Sequence, residues 1–331
     1  MGVRSKLLCE LEANRGKPLS GERLAADLGV TRAAVWNAVR SLEDDGYDLI
    51  KSRKGYMLSE DMDILSPEGV GIDLDRQHEV VVLPKVDSTN EEVKRRALEG
   101  APDGFTVIAD AQVSGKGRRG RGFFSPAGTG IYMSMLLRPT MLPAADIVFI
   151  TTMAAVAVAH AVSEVCKKDP KIKWVNDIYL NEKKICGILT EAVSDVETGG
   201  IDFVVVGIGI NVKKSNARIP MELRDVVGYI YDDKEAGAAR NRIAAGVINE
   251  IDRYYEALPD RIFMKEYKER SMVIGKRIRF GTPVSLSKPG EGDDWREGIA
   301  VDIDDTGGLL VELDDKSRET LHSGEITLRV E

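Results

Sequence analysis

Residues 112 to 126 read Gln112-Val-Ser-Gly-Lys-Gly-Arg-Arg-Gly-Arg-Gly-Phe-Phe-Ser-Pro126. Four glycines alternate there with four cationic side chains: Gly115, Gly117, Gly120 and Gly122 with Lys116, Arg118, Arg119 and Arg121. Glycine lets backbone N–H groups come close to a ligand, and the cations match the oxygens of phosphate or carboxylate. The stretch therefore predicts a loop that closes over an anion.

Two other interpretations of this stretch are a solvated basic linker and a dinucleotide-binding fingerprint. The flanking segments 105–109 and 131–137 are apolar and β-branched, so the stretch joins two core strands and is no linker. Gly115-x-Gly117-x-x-Gly120 fits G-x-G-x-x-G, but Pro126 and further glycines prevent a helix, and the acidic residue about 20 positions on is missing. The chain also lacks a G-x-x-x-x-G-K-[ST] sequence, which excludes a P-loop.

Length and composition describe a protein of two or three domains. Of 331 residues, 43% are hydrophobic and 30% charged, and the net charge is −8, which argues against a general polyanion binder but allows a locally basic surface. We find no apolar run approaching the ~20 residues of a membrane span, and no signal peptide. Three scattered cysteines form neither a disulfide framework nor a metal site. The expectation is a cytoplasmic protein without a membrane partner.

Residues 1–60 predict a winged helix-turn-helix domain. Helices are expected at 3–14, between Ser20 and Gly29, and between Thr31 and Gly46, followed by two short strands around the basic turn 51–55. Six residues of the third helix and the wing are candidates for DNA contact: Arg32, Trp36, Asn37, Arg40, Arg53 and Lys54. We expect Trp36 to be partly packed rather than intercalated. The alternative is a winged helix that binds protein.

A linker at 61–79 leads to a mixed α/β domain at 80–270. We expect this domain to begin with a strand at 80–83 and a helix at 91–99 capped by Ser88, Thr89 or Asn90. A buried apolar helix at 144–166 should follow, then strands within 173–191 and at 203–206, and helices near 237–257 and 260–270. Residues 271–331 predict five short strands at 277–280, 284–286, 298–301, 309–313 and 326–328, which indicate a small SH3-like barrel.

The polar residues of the central domain are mostly cations, because Lys173 and Lys184 join those of the loop. The sequence offers no Ser-His-Asp or Cys-His set in a supporting context, so covalent nucleophilic catalysis is not expected. Converging cations suit phosphoryl or adenylyl transfer, and Asp177 could help to hold Mg²⁺. Each motif alone is modest evidence, since both lysines could equally lie on the surface.

Five motifs in this order resemble the bifunctional biotin–protein ligases that also repress the biotin operon: Asp87-Ser-Thr-Asn90, Gln112 with the glycine–cation loop, Lys173-Trp-Val-Asn-Asp177, Lys184-Ile-Cys-Gly187 and Gly207-Ile-Gly-Ile-Asn211. The resemblance implies a catalytic domain of the class II aminoacyl-tRNA synthetase and biotin-ligase type. Such an enzyme makes biotinyl-5′-AMP from biotin and MgATP and transfers biotin to a lysine of a biotin carboxyl carrier protein. The resemblance also implies a homodimer on operator DNA, with biotinyl-5′-AMP as corepressor.

The same resemblance implies the site residues. Lys184, Arg118 and Arg121 would be catalytic. Ligand-binding residues would be Ser88, Thr89, Asn90, Gln112, Gly115, Lys116, Gly117, Arg118, Lys173, Asn176, Asp177, Lys184, Gly187, Gly207, Gly209 and Asn211. Ser88, Thr89 and Gln112 would hold the polar ureido ring of biotin. Gly187, Gly207 and Gly209 would let the ligand approach closely.

Other possibilities stay open at this point. Lys116 stands where the family often has arginine, so the role of its side chain is undecided. The loop is expected to become ordered as the adenylate binds. A ligase without a DNA-binding role, a biotin sensor without ligase activity, and a lipoate ligase are the alternative functions.

Overall fold

The computed structural model describes residues 1–139, 143, 146–194, 200–214, 217, 219–231, 239–281, 295–322 and 325–328. Its N-terminal part consists of α1 (Val3–Ala13), α2 (Gly21–Leu28), α3 (Arg32–Asp44) and an antiparallel hairpin of β1 (Leu49–Ser52) and β2 (Gly55–Leu58). The predicted caps are confirmed: the Ser20 and Thr31 side chains accept hydrogen bonds from the backbone of the next helix, and Gly29 ends α2 at a φ of 64°. These elements enclose a separate apolar core around Leu8, Val39 and Leu42.

The segment between this unit and the central domain contains one short helix, α4 (Pro67–Gly71). Ser66 caps it, since its Oγ accepts a hydrogen bond from Gly69 N at 2.9 Å. Helix α4 packs between α1 and α7 (Arg240–Glu256), so the segment lies against both parts of the chain.

A seven-stranded mixed sheet forms the centre of the protein. Its strands are β3 (Val80–Leu83), β4 (Thr106–Ala109), β5 (Gly130–Leu137), β6 (Lys171–Lys173), β7 (Asp177–Leu180), β8 (Lys183–Ser194) and β9 (Ile201–Asn211), in the order β3-β4-β5-β9-β8-β7-β6. Only β3 and β4 are parallel among these pairs.

The two faces of this sheet differ because side chains alternate along each strand. Along β9, Val204, Val206, Ile208 and Ile210 belong to the main core, against α6 (Ile147–Cys166) and α7. Phe203 and Val205 point the other way, into a smaller core with α5 (Thr89–Leu98). Gly207 and Gly209 follow on this second face, so the large side chains stop where the cavity described below begins.

Helix α6 corrects one expectation from the sequence. It has 20 residues with a mean hydropathy of 1.7 in its most apolar window, which is long and apolar enough to cross a membrane, so the expectation that no apolar run approaches a membrane span is wrong. The expected burial is confirmed, since residues such as Met153, Ala157 and Val162 are fully covered or nearly so. Its hydrophobic surface packs on the sheet, α7 and α8 (Phe263–Glu269), which explains an apolar helix of this length.

The C-terminal part is an antiparallel five-stranded sheet, in the order β13-β12-β11-β10-β14. Its strands are β10 (Arg277–Gly281), β11 (Arg296–Ile303), β12 (Leu309–Glu312), β13 (Arg318–Leu321) and β14 (Glu325–Leu328). The strand predicted at 284–286 lies outside the described residues. Strand β13 was not predicted, because Arg-Glu-Thr-Leu is half charged; it lies at the edge of the sheet, where charged residues are tolerated.

Candidate active site

The glycine–cation stretch folds back on itself as a hairpin. Gly117 N donates to Arg121 O at 2.7 Å and Phe123 N donates to Gly115 O at 2.8 Å. At the tip, Arg118–Gly120 form a tight turn in which Arg119 and Gly120 both have a positive φ, of 56° and 73°. Such a φ suits glycine, which has no Cβ to clash. The structure describes the whole stretch, and no α-helix opens within it, so it does not form the loop-to-helix turn of a dinucleotide fingerprint.

Hydrogen bonds between side chains hold the base of this hairpin. Gln112 Oε1 accepts from Thr89 N at 2.9 Å and from Thr89 Oγ1 at 3.2 Å, while Gln112 Nε2 donates to Ser125 Oγ at 2.9 Å. Ser134 Oγ lies 2.7 Å from Thr89 Oγ1 and 2.6 Å from Asn90 Oδ1. The network orients several donors and acceptors in a place shielded from water, which suits a small polar ligand group.

The prediction of a cap among Ser88, Thr89 and Asn90 is confirmed in position only. Ser88 is the N-cap residue of α5, but its side chain makes no capping hydrogen bond, and Thr89 and Asn90 already belong to the helix. All three side chains are buried, and Asn90 Nδ2 donates to Glu191 Oε2 at 2.7 Å. These residues face the interior network because the first turn of α5 lies over the sheet.

The lysine of β8 forms an ion pair inside the site. Lys184 Nζ lies 2.7 Å from Asp177 Oδ1, and both side chains are less than a third exposed. The backbone of Lys184 is held on its other side, where its N–H donates to Val226 O and its carbonyl accepts from Gly228 N. A cation and a carboxylate are thus fixed together at the cavity wall.

The tip of the loop reaches the residues next to the Lys184–Asp177 pair. Arg118 Nη1 donates to Asn176 Oδ1 at 2.9 Å, and Asn176 Nδ2 donates in turn to Ile188 O at 2.7 Å. Asn176 precedes Asp177 directly, so the loop and the Lys184–Asp177 pair enclose one space. The sequence predicts this convergence of cations, and the structure shows it.

The space is a cavity of about 730 Å³. Every predicted ligand-binding residue except Gly115 lines it, as does Arg121: Ser88, Thr89, Asn90, Gln112, Lys116, Gly117, Arg118, Lys173, Asn176, Asp177, Lys184, Gly187, Gly207, Gly209 and Asn211. Gly115 instead serves the packing of the hairpin, since a Cβ there would lie 2.5 Å from Phe123 O. The volume is suitable for a ligand of drug or cofactor size.

Three cavity glycines make room for side chains of the protein itself. A Cβ on Gly207 would lie 2.0 Å from Asn90 Oδ1, and a Cβ on Gly209 would lie 2.4 Å from the Phe123 ring. A Cβ on Gly187 would lie 3.3 Å from Lys184 Nζ. The sequence suggests that these glycines admit the ligand; the structure adds that they first allow close packing of the walls.

A chain of opposite charges runs along one side of the loop. Glu91 Oε1 lies 2.7 Å from Lys116 Nζ and 3.0 Å from Lys94 Nζ, and Lys94 Nζ lies 2.8 Å from Glu191 Oε1. Hydrogen bonds from Lys116 and then Lys94 lower the pKa of Glu91. The Lys116 side chain, whose role the sequence leaves open, therefore fastens the loop to α5 in this structure.

Several residues of the site are not predicted from the sequence. Ser134 could have been found from the alternation along β5, which turns a lone polar residue toward the cavity face. Val226 and Val227 carry no sequence signal, because they line the cavity only through their pairing with Lys184. Tyr179 also lines the cavity, and burial raises its pKa to about 12, so it stays protonated there.

The same geometry bears on two chemical alternatives, a metal site built from protein side chains and a cysteine nucleophile. Among the described residues, no group of three or more His, Cys, Asp or Glu side chains is arranged to hold a metal ion. Asp177 is therefore a single carboxylate that would need oxygens from a substrate to complete a metal site. Complete burial raises the pKa of the Cys186 thiol, which makes it a poor nucleophile.

The six residues predicted to contact DNA are all exposed: Arg32, Trp36, Asn37, Arg40, Arg53 and Lys54. The Arg40 guanidinium lies 5.0 Å from the Trp36 ring centroid, and Trp36 is 48% exposed, so Arg40 covers part of the ring. Arg53 and Lys54 occupy the turn of the hairpin.

Three family models match the chain. A helix-turn-helix domain model matches residues 3–57, the biotin/lipoate A/B protein ligase model matches residues 82–211, and the biotin protein ligase C-terminal domain model matches residues 273–329. The bifunctional ligase/repressor BirA of Bacillus subtilis (strain 168) is 33% identical over 98% of both chains. The chain belongs to the biotin protein ligase family.

Other members of the biotin protein ligase family match in the same way. The bifunctional ligase/repressor BirA of Escherichia coli (strain K12) is 33% identical over 97% of this chain and 96% of its own. The biotin–[acetyl-CoA-carboxylase] ligase of Mycobacterium tuberculosis is 31% identical over 70% of this chain and 82% of its own. Among solved structures, the biotin protein ligase from Aquifex aeolicus in complex with biotin and ATP covers 76% of this chain and 98% of its own, with a TM-score of 0.60 and 27% identity.

Proposed function

We propose that this biotin protein ligase joins biotin to a lysine of a biotin carboxyl carrier protein through biotinyl-5′-AMP. The observation that carries the proposal is the single cavity in which loop 112–126 meets the strand of Lys184, with Arg118 contacting Asn176 beside Asp177. The printed names of the relatives support the substrates, because one is a ligase for acetyl-CoA carboxylase and another was solved with biotin and ATP.

The reaction has two steps. A carboxylate oxygen of biotin attacks the α-phosphorus of ATP, the bond from that phosphorus to the bridging oxygen breaks, and pyrophosphate leaves. The neutral ε-amine of the acceptor lysine then attacks the acyl carbon, the bond to the AMP oxygen breaks, AMP leaves, and the nitrogen loses a proton. Negative charge shifts between oxygens in both steps, which suits the cations Lys184, Arg118 and Arg121 as stabilising groups.

We assign the polar end of biotin to the network at the base of the loop. The ureido ring offers two N–H donors and one carbonyl acceptor, and the buried Ser88 and Thr89 together with the half-buried Gln112 carry both kinds of partner. The biotin carboxylate then extends toward Lys116, Gly117 and the tip of the loop. The ATP side of the cavity takes Lys173, Asn176, Asp177 and Asn211.

Mg²⁺ is the metal that this site would use with ATP. Asp177 is the residue that would hold it, because Mg²⁺ commonly binds one or two carboxylates together with substrate phosphates. The ion would neutralise phosphate charge when bound. Lys184, at 2.7 Å from the same carboxylate, would keep Asp177 oriented toward the phosphates.

We also propose that the chain is a repressor of biotin genes, with biotinyl-5′-AMP as corepressor. The helix-turn-helix match at residues 3–57 and the relatives named ligase/repressor support this role. Helices α1–α3 with the basic hairpin would then be a winged helix. A homodimer would place two of them on one palindromic operator. We propose a cytoplasmic location, where DNA and carrier protein are both accessible.

The domain bounds that fit this role are 1–60 for the winged helix, 61–79 for the linker, 80–270 for the catalytic domain and 271–331 for an SH3-like barrel. The separate N-terminal core supports the first bound. Ile278, Phe280 and Val311 share a core with the central sheet, so the last domain would be fixed firmly to the catalytic one.

The deciding experiment is transfer of labelled biotin to a carrier domain in the presence of MgATP, with pyrophosphate release measured in parallel. Transfer of biotin is the expected result. A biotin sensor would release no pyrophosphate, and a lipoate ligase would transfer labelled lipoate instead. A ligase without a repressor role would leave the gel mobility of DNA upstream of biotin genes unchanged when the adenylate is supplied.

A further inference from the structure

A buried arginine joins the linker to the central domain. Arg240 opens α7 and is only 3% exposed, although it carries a full charge. Its Nε donates to Asp63 Oδ2 at 3.0 Å, its Nη1 donates to Asp110 Oδ1 at 2.6 Å and to Gly130 O at 3.2 Å, and its Nη2 donates to the Asp63 carbonyl. A buried cation needs such partners, because a lost partner leaves charge without compensation.

The partners of Arg240 lie at both ends of the ligand loop. Asp110 directly follows β4 and leads into the loop, and Gly130 is the first residue of β5 after it. Asp110 also accepts from Gly128 N at 3.1 Å and 3.0 Å through its two oxygens. The guanidinium therefore binds both ends of the segment that contains residues 112–126, just beyond the last β4–β5 pair, Ala109 and Tyr132.

The third partner belongs to the linker. Asp63 lies between Met62 and Ile64, which pack against the core of the N-terminal unit. The Asp63 side chain points the other way, to Arg240 and to Lys213 Nζ at 3.0 Å. Lys213 is two residues beyond Asn211, which lines the cavity. One carboxylate thus connects the packing of the N-terminal unit with the frame of the ligand site.

We infer that Arg240 is a positioning residue that couples the ligand loop to the linker at residues 61–66. A ligand that fixes the loop fixes Asp110 and Gly130, and the same guanidinium then holds Asp63 more firmly. The coupling is reciprocal, so a displaced linker weakens the hold on the loop. The inference rests on the proposed function only in taking biotin with MgATP as the ligand.

Hydrogen exchange of the full chain, followed by mass spectrometry with and without biotin and MgATP, tests this coupling. In the wild-type protein we expect slower exchange in peptides of the loop and also of residues 61–66, by about fivefold or more, the lower end of typical coupling between sites. Asp63→Asn removes the charge and leaves one acceptor oxygen. It should keep the protection of the loop and lose that of the linker. Asp61→Asn, an exposed linker carboxylate changed in the same way, should behave as wild type.

If Arg240 only stabilised the fold, ligand binding would not change the protection of the linker through Asp63. Linker protection that persists in Asp63→Asn, or that never appears in wild type while the loop is protected, would overturn the coupling. If Asp63→Asn does not fold, Arg240→Lys replaces it, because lysine keeps the charge but cannot hold three segments with one planar group. A loop without protection and without pyrophosphate release would overturn the proposed function, and this inference with it.

Discussion

Replacing Lys184 by methionine should nearly abolish adenylate synthesis while leaving the fold intact. The change keeps a long apolar side chain but removes the cation that faces Asp177 at 2.7 Å. Removing one preorganised donor from a developing oxyanion typically costs about 10²–10³ in rate, or about 3–4 kcal/mol. Here Asp177 would also lose the partner that keeps it oriented toward the phosphates, so the upper part of this range is expected.

The stability effect of the same change should be small. The Lys184 and Asp177 side chains are 28% and 24% exposed, and a partly solvated ion pair contributes about 0–1 kcal/mol to the free energy of unfolding. A rise in the activation free energy far larger than the loss in the free energy of unfolding therefore identifies a catalytic role.

The assay is pyrophosphate release with biotin and MgATP, together with denaturant unfolding of each variant. Lys183→Met is the matched control, since Lys183 is the preceding residue on β8, is exposed, and donates to the carbonyl of Asp225 outside the cavity. Its rate should stay within about twofold of wild type. A Lys184→Met rate close to that of the control would refute the assignment of the cavity as the adenylation site.

Three further outcomes are expected. Arg118→Gly removes the contact with Asn176 and a cation over the adenylate. Synthesis should continue, but biotinyl-5′-AMP should be released about 10–100-fold faster, as expected for the loss of a charged hydrogen bond. An unchanged release rate in a filter-binding assay would count against loop closure. Arg40→Ala should weaken binding to operator DNA in gel-shift assays and reduce its salt dependence, with ligase activity unchanged; equal DNA affinity would remove α3 from the interface. His78→Gln should lower the melting temperature most below pH 6. The hydrogen bond with Asp252 raises the pKa of His78 above 6.5, so its stabilisation is present below that pH and is lost as pH rises through the folded-state pKa. A melting-temperature difference independent of pH would contradict this.

The motifs, most element types and the family could be predicted from the sequence, because these depend on local patterns. Side-chain capping at Ser20 and Thr31, the glycine at the end of α2, and the continuous apolar run in β9 each act within a few residues. The glycine–cation loop between two core strands is informative for the same reason. Its glycines determine the backbone conformation of the loop, and its cations determine the charge of the ligand that the loop encloses.

The tertiary structure decided the contacts between distant segments. The inward orientation of residues 88–90, where caps were expected, follows from the position of α5 on the sheet. The burial of α6 against α7 and the sheet is equally a matter of packing. The anchoring of Arg240 by Asp63 and Asp110 joins residues more than a hundred positions apart. Such pairings depend on which faces the folded elements bring together, and no local pattern of residues carries that information.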